Sequence, residues 1–470
     1  MGLAELSARV IAREISAREM VGEAFRRIER LDPDVHAVVA LREEASADAR
    51  ALDDALATGA AAGPLAGLPV LVKDNTDVAG MRTTFGSRLF ADGAPASTDG
   101  VITARLRAAG AIVVGKSNLP EFATEGFTSN LVFGSTGNPW RLDASPGGSS
   151  GGSAAALAAG MVPIATATDG GGSVRIPAAW CGLVGFKPTN GVIGRWPAPD
   201  WIDLSTDGPL GTSVADVRLL LDVTAGPVAG DPSALPGSLP AARPPIRRIF
   251  ALEGTADWGP LPPEIAERFD RALGRVQDVF GTAVEMLDPQ KLFSAGNIDL
   301  DWFTIASPEH AHLIGRDVIE ARGGEMHPSA LAFLEGGLAV SIEEYMAARR
   351  RRFAYVRALD QLLGEDGILC SPVMAVDSCP VDGIPPGEEG PGLPVSAYVT
   401  AAQNITGHPA ISVPAGRTSG GVPFGLQITA PRFHDRMLLD VAGSWERAEP
   451  WPLVADGYEP FDPMGGTDGR

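Results

Sequence analysis

The chain has 470 residues, 45% of them hydrophobic, enough apolar mass for a large buried core and, on length alone, for two or three domains. Its formal charge of −20 comes from acids dispersed along the chain, which excludes nucleic acid as a partner, because phosphate binding needs basic patches. Cys181, Cys370 and Cys379 form no CxxC and the six histidines no ligand spacing, so a reducing compartment is expected, with neither metal nor cofactor.

The first residues, MGLAELSARVIAREIS, carry charges throughout and do not read as a signal peptide. No apolar stretch reaches the roughly 20 residues of a membrane span, so the expected location is cytoplasmic, with no membrane partner. Residues 3–31 predict two amphipathic helices, the second opened by Ser16 with Glu19 as its capping-box partner. Leu68–Val72 predicts a buried strand ending at Lys73, and residues 99–110 a helix leading into the apolar strand AIVVG. This alternation of helix and strand favours a largely parallel sheet with its functional loops at strand ends.

Residues 147–177 then carry two serine-bearing glycine runs. Glycines let backbone N–H groups crowd around a phosphate or an oxyanion, so two chemistries compete. A phosphate cradle would need GxxxxGK[ST], which neither run completes. A flexible linker would be polar on both sides, whereas these runs lead into AAALAAGM and VRIPAAWCGLVGF. Acyl transfer needs a hydroxyl nucleophile, a base and N–H donors, which Ser149, Ser150, Ser153, Ser173 and Lys73 can supply. A lysine acts as base only when neutral. Its reference pKa is about 10.4, and desolvation beside residues such as Leu71 and Val72 lowers it.

Beyond the glycine runs, residues 227–245 predict a surface connection rich in Pro and Gly, opening a variable segment that extends to residue 365. Within it, SIEEYMAARRRRFAYVRALDQLL has helical periodicity, and Arg349–Arg352 reads as its solvated face. Residues 381–396 form another irregular stretch, either a binding loop or an inert excursion. Gly126, Phe127, Trp196 and Trp201 are candidates for contact with substrate, and each aromatic is equally suited to the core.

PGGSSGGSAAALAAG followed by TDGGGSVRIPAAWCGLVGFKPT resembles the signature of the amidase signature enzymes, serine hydrolases with a Ser-Ser-Lys triad. The likeness extends through GPLAGLPVLVKDN, GAIVVGKSNLPEFA and FGSTGNPW and returns at NITGHPAISVPAG and GVPFGLQITA. It implies one large α/β domain, a mixed and mostly parallel sheet covered by helices on both faces. Along the chain this divides into N-terminal helices (1–65), signature core (66–226), variable segment (227–365), return to the core (366–450) and a C-terminal tail (451–470). It further implies that Ser173 is the nucleophile, that Ser149 bridges after a cis peptide bond, and that Lys73 is the terminal base. The backbone N–H groups of Gly170, Gly171, Gly172 and Ser173 would form the oxyanion hole, with Thr168, Asp169, Ser150 and Arg175 in support. Gly170 departs from the family, which usually carries Thr or Ile there. The activity implied is hydrolysis of neutral aryl or alkyl amides, in the style of aryl acylamidases, with esters and carbamates within reach. The competing readings are the glutamine-hydrolysing component of a tRNA-dependent amidotransferase and a non-catalytic scaffold. The partner expected is a small-molecule amide, and a homodimer is admitted.

Overall fold

The computed structural model describes residues 1–464 apart from 199, 236–238, 240–243, 257–258 and 385–391. Among the described residues, the main sheet has eleven strands. In chain order they are β1 (Val38–Leu41), β2 (Pro69–Lys73), β3 (Ile112–Ser117), β4 (Ile164–Ala165), β5 (Val184–Lys187), β6 (Leu210–Gly211), β7 (Arg248–Ala251), β8 (Val284–Met286), β9 (Gly367–Pro372), β10 (Ala410–Arg417) and β11 (Pro423–Thr429). Across the sheet the order is β1-β3-β2-β4-β6-β5-β10-β11-β9-β7-β8.

The sheet is mixed, but the expectation that it is mostly parallel is corrected. Parallel pairing joins β3 to β2, β2 to β4, β9 to β7 and β7 to β8, while every other neighbouring pair is antiparallel. The physical reason lies in the connections. Helix-to-strand alternation holds near β2 and β3, where a crossover permits parallel pairing. By contrast, β10 and β11 are joined by a short turn through residues 418–422, which permits only an antiparallel hairpin.

Two N-terminal helices, α1 (Leu3–Ile11) and α2 (Ala17–Val35), pack against the first half of the sheet, and Ser16 and Glu19 form the expected capping box. The predicted helix near residue 100 is α3 (Val101–Ala108), leading into β3. The two glycine runs precede short buried helices, α4 (Gly151–Ala158) and α5 (Arg175–Cys181). The variable segment is part of the same sheet, since it supplies β7 and β8. Its helices α6 (Ile298–Ile314), α7 (Pro328–Ala339) and α8 (Ile342–Leu363) build an apolar cluster that also holds Trp201 and residues of α9 (Ala401–Thr406).

The basic run on α8 is not a solvated face. Arg349 pairs with Asp203 and Glu309, Arg351 with Asp301, and Arg352 with Asp203 and the carbonyl of Ile405, so only Arg350 of the four points to solvent. These pairs pin α8 to α6, α9 and the 201–205 loop. No helix of the described residues is long and apolar enough to cross a membrane.

Candidate active site

Strand β2 is buried on both faces and delivers Lys73 at its end, with the side chain fully buried. The Lys73 Nζ donates to Ser149 Oγ at 2.7 Å, Ser150 Oγ at 2.9 Å and Thr168 Oγ1 at 2.9 Å. Burial lowers its pKa to about 7, against the opposing pull of Asp169 and Asp207. An amine at about 7 is half neutral near physiological pH and can take a proton from the hydroxyl it touches. The peptide bond between Gly148 and Ser149 is cis, as the resemblance implied. Ser153, the other hydroxyl in that run, is occupied elsewhere: its Oγ meets Ser117 and the carbonyl of Thr166, both at 2.7 Å.

The second glycine run wraps one carboxylate. Asp169 is fully buried, and burial by itself would raise its pKa. The Arg175 guanidinium and the Asn404 amide overcome that and hold it at about 2. Arg175 is also fully buried; it forks onto Asp169 and reaches Gln427 Oε1 and Asn404 Oδ1, each at 2.6 Å. It fits a structural ion pair beneath the loop.

Each carbonyl of this loop is tied down. Asp169 O accepts from Asn404 Nδ2 at 3.0 Å, Gly170 O from Trp302 Nε1 at 2.7 Å, Gly171 O from Thr400 Oγ1, and Gly172 O from the Ile176 N–H at 2.7 Å. The Gly172 N–H donates to Asp169 Oδ1 at 2.8 Å, so the expectation that it serves the oxyanion hole is corrected: the carboxylate has taken it. Among the described residues the N–H groups of Gly170, Gly171 and Ser173 meet no acceptor. Buried backbone donors are rarely left unpaired, so three beside one serine are suited to a transient anion.

Ser173 stands between two cavities. One, of about 150 Å3, is walled by Gly126, Gly171, Trp201, Trp302 and Phe333 and also receives Glu125, whose pKa burial pushes up to about 8. The other, of about 200 Å3, is more polar and brings Ser149, Asn75, Thr168, Trp196 and Asp207 to the same Ser173. Burial raises Asp207 to about 6. Trp196 is 59% exposed at the rim, and Trp201 lines both cavities. Phe127, the remaining candidate contact, is corrected to the core: its ring is fully buried in an apolar cluster and lines neither cavity. The irregular stretch 381–396 falls largely on 385–391, outside the described residues.

The departure at Gly170 has a counterpart. A Cβ there would stand 1.9 Å from Trp201 Cε3, so the indole ring occupies the space that a side chain would need. Sequence reading missed Glu125, Asp207, Trp302, Thr400 and Asn404. None sits in a glycine run, and only the fold brings them to Ser173.

The sequence pattern of the amidase family matches residues 19–439. The chain belongs to the amidase family. This amidase is 33% identical over 469 residues to the glutamyl-tRNA(Gln) amidotransferase protein of the A type from Synechococcus sp. strain CC9605, a match covering 93% of this chain and 94% of that protein. Among solved structures it is similar to a bacterial aryl acylamidase of the amidase signature family, with a TM-score of 0.86, 29% identity and 96% of each chain covered. It is also similar to 6-aminohexanoate cyclic dimer hydrolase, with a TM-score of 0.83, 27% identity and coverage of 96% of this chain and 97% of that one. The amidase is an amide C–N hydrolase of the amidase signature fold.

Proposed function

We propose that the amidase hydrolyses neutral aryl or alkyl carboxylic amides through Ser173, Ser149 and Lys73, working on its own rather than within an amidotransferase complex. The observation that carries this reading is a fully buried Lys73 Nζ at 2.7 Å from Ser149 Oγ, with Ser149 facing the same cavity as Ser173. Ser173 Oγ attacks the carbonyl carbon while its proton passes to Ser149, whose own proton passes to neutral Lys73. The negative oxygen of the tetrahedral intermediate rests on backbone N–H groups of Gly170, Gly171 and Ser173. The protonated relay then runs backward, giving a proton to the departing amine as the C–N bond breaks. Water, deprotonated by the same relay, cleaves the acyl-enzyme and frees the carboxylic acid.

The two cavities divide the substrate. Ser149 must protonate the leaving nitrogen, and it lines the more polar cavity, so the amine departs there and the acyl group fills the other. That acyl cavity, about 150 Å3 and walled by aromatics, is of the size that binds benzene in an engineered protein core. Esters and carbamates present the same carbonyl and fall within the reach of this chemistry.

Hydrolysis of glutamine, the second reading, is favoured by the 33% identity to the amidotransferase protein. Against it, the α-carboxylate of glutamine calls for a cation, and no Lys or Arg is among the residues lining the acyl cavity. Purified protein incubated with 4-nitroacetanilide, aliphatic amides, glutamine and an aryl carbamate tests both. Turnover of the anilide that vanishes in Ser173→Ala is the expected result. Glutamine turnover without anilide turnover would favour the amidotransferase reading, and equal activity in Ser173→Ala and the parent would sink the nucleophile.

A further inference from the structure

In a trans peptide the N–H points opposite to the preceding C=O, so anchoring one carbonyl aims the next residue's N–H. Around the loop, Asn404 aims the N–H of Gly170, the Ile176 N–H aims that of Ser173, and Trp302 aims that of Gly171. A glycine on each side of the Gly170–Gly171 peptide leaves that plane free to rotate unless something holds it. Trp302 Nε1, 2.7 Å from Gly170 O, is the group that holds it among the described residues. The fit is close, since a Cβ on Gly171 would lie 2.7 Å from Trp302 Cζ2. The same indole walls the cavity that Gly171 and Ser173 line.

We infer that Trp302 is a positioning residue of the oxyanion hole: its indole N–H holds the Gly170 carbonyl so that the Gly171 N–H faces the oxygen of the bound carbonyl. This rests on the proposed role of Ser173 and adds to it. One side chain from α6, outside both glycine runs, sets a transition-state contact and forms a wall of the acyl cavity. A merely structural or lining residue would change stability or KM. A residue that orients an oxyanion donor changes kcat, because the donor matters most when the oxygen becomes charged.

The test compares the parent with Trp302→Phe, which keeps a ring and loses the N–H, and Trp302→His, which keeps a ring N–H. Steady-state kinetics on 4-nitroacetanilide is read together with inhibition by phenylboronic acid, whose tetrahedral adduct on serine carries a negative oxygen. Trp302→Phe is expected to lower kcat by about 10- to 100-fold, below the loss typical of deleting a donor outright, with KM within about threefold. The boronic acid Ki should rise in parallel, and Trp302→His should recover part of both. A kcat within twofold of the parent, a loss confined to KM, an unchanged Ki, or Trp302→His slower than Trp302→Phe would each overturn the inference. Should Ser173→Ala be inert while Trp302→Phe matches the parent, the nucleophile stands and only the positioning role falls. If Ser173→Ala keeps full activity, the proposed function itself fails.

Discussion

Lys73 leaves water for three hydroxyls, and that environment gives it two pH signatures with opposite chemical meaning. Burial brings its pKa to about 7, so the amine that accepts a proton becomes available as pH rises through that value. Amide kcat/KM should therefore climb across pH 6 to 8 and level off above, with the midpoint near 7. Asp207 pulls the Lys73 pKa upward, so Asp207→Asn should move the midpoint to lower pH, and a pH–rate profile that stays put would count against electrostatic contact between them. Stability follows from the same shift. The pKa is about 7 folded and 10.5 in its ordinary state, so between those values the unfolded chain binds the extra proton. Stability due to this group thus rises with pH over that window and is at its worst below 7. Lys73→Met should raise Tm, and by more at pH 6 than at pH 9, while abolishing amide turnover. A gain independent of pH would mean that the ammonium is not the source of the cost.

The glycine loop is held by its neighbours rather than by its own side chains, and this sets what could be read in the sequence. Ser173, Ser149 and Lys73 were legible because two glycine runs and an apolar strand are local patterns. Trp302, Thr400 and Asn404 were not, since a lone polar or aromatic residue on α6, beside α9 or within it has no periodic signal and meets Asp169–Gly172 only after the sheet assembles. Phe127 read as a contact because an aromatic beside a motif suits pocket and core alike, and here it went to the core. The parallel bias failed because one crossover near β2 was extended to strands joined by hairpins. Gly170 tests the element-level account. With Trp201 Cε3 at 1.9 Å from the missing Cβ, Gly170→Thr should lower kcat/KM by at least about tenfold by forcing the loop or the indole aside. Trp201→Ala alone should be milder, and the double variant Gly170→Thr with Trp201→Ala should recover part of the loss. Strictly additive losses in this cycle would show that the two do not compete for one space.

Across the whole molecule the two chain ends are fastened to the catalytic half. Arg27 on α2 is 4% exposed, pairs with Glu23 at 2.6 Å, and donates to the carbonyls of Gly160 at 2.9 Å and Glu459 at 2.8 Å. Gly160 follows α4, the helix that the Ser149 run opens, and Glu459 belongs to the C-terminal stretch. That stretch is docked rather than loose: Ala455 N–H donates to Ala158 O at 2.8 Å, and Trp451 Nε1 to Thr212 O at 3.0 Å. Arg27 also stacks on Phe461, 5.4 Å from its centroid. Replacing it with Met keeps apolar volume but strips two buried carbonyls of their donor and Glu23 of its buried partner. Losing one partner of a buried pair costs about 3 to 5 kcal/mol, and Arg26, at 2.7 Å from Glu23, should hold the cost near the lower end. Arg27→Met should thus lower Tm by several degrees while the unfolding transition stays single. Because no triad atom touches Arg27, kcat at 25 °C should remain within about twofold of the parent. A separate early transition assigned to residues 451–464 would instead mean that the C-terminal stretch melts on its own and that the clamp does not unite the molecule.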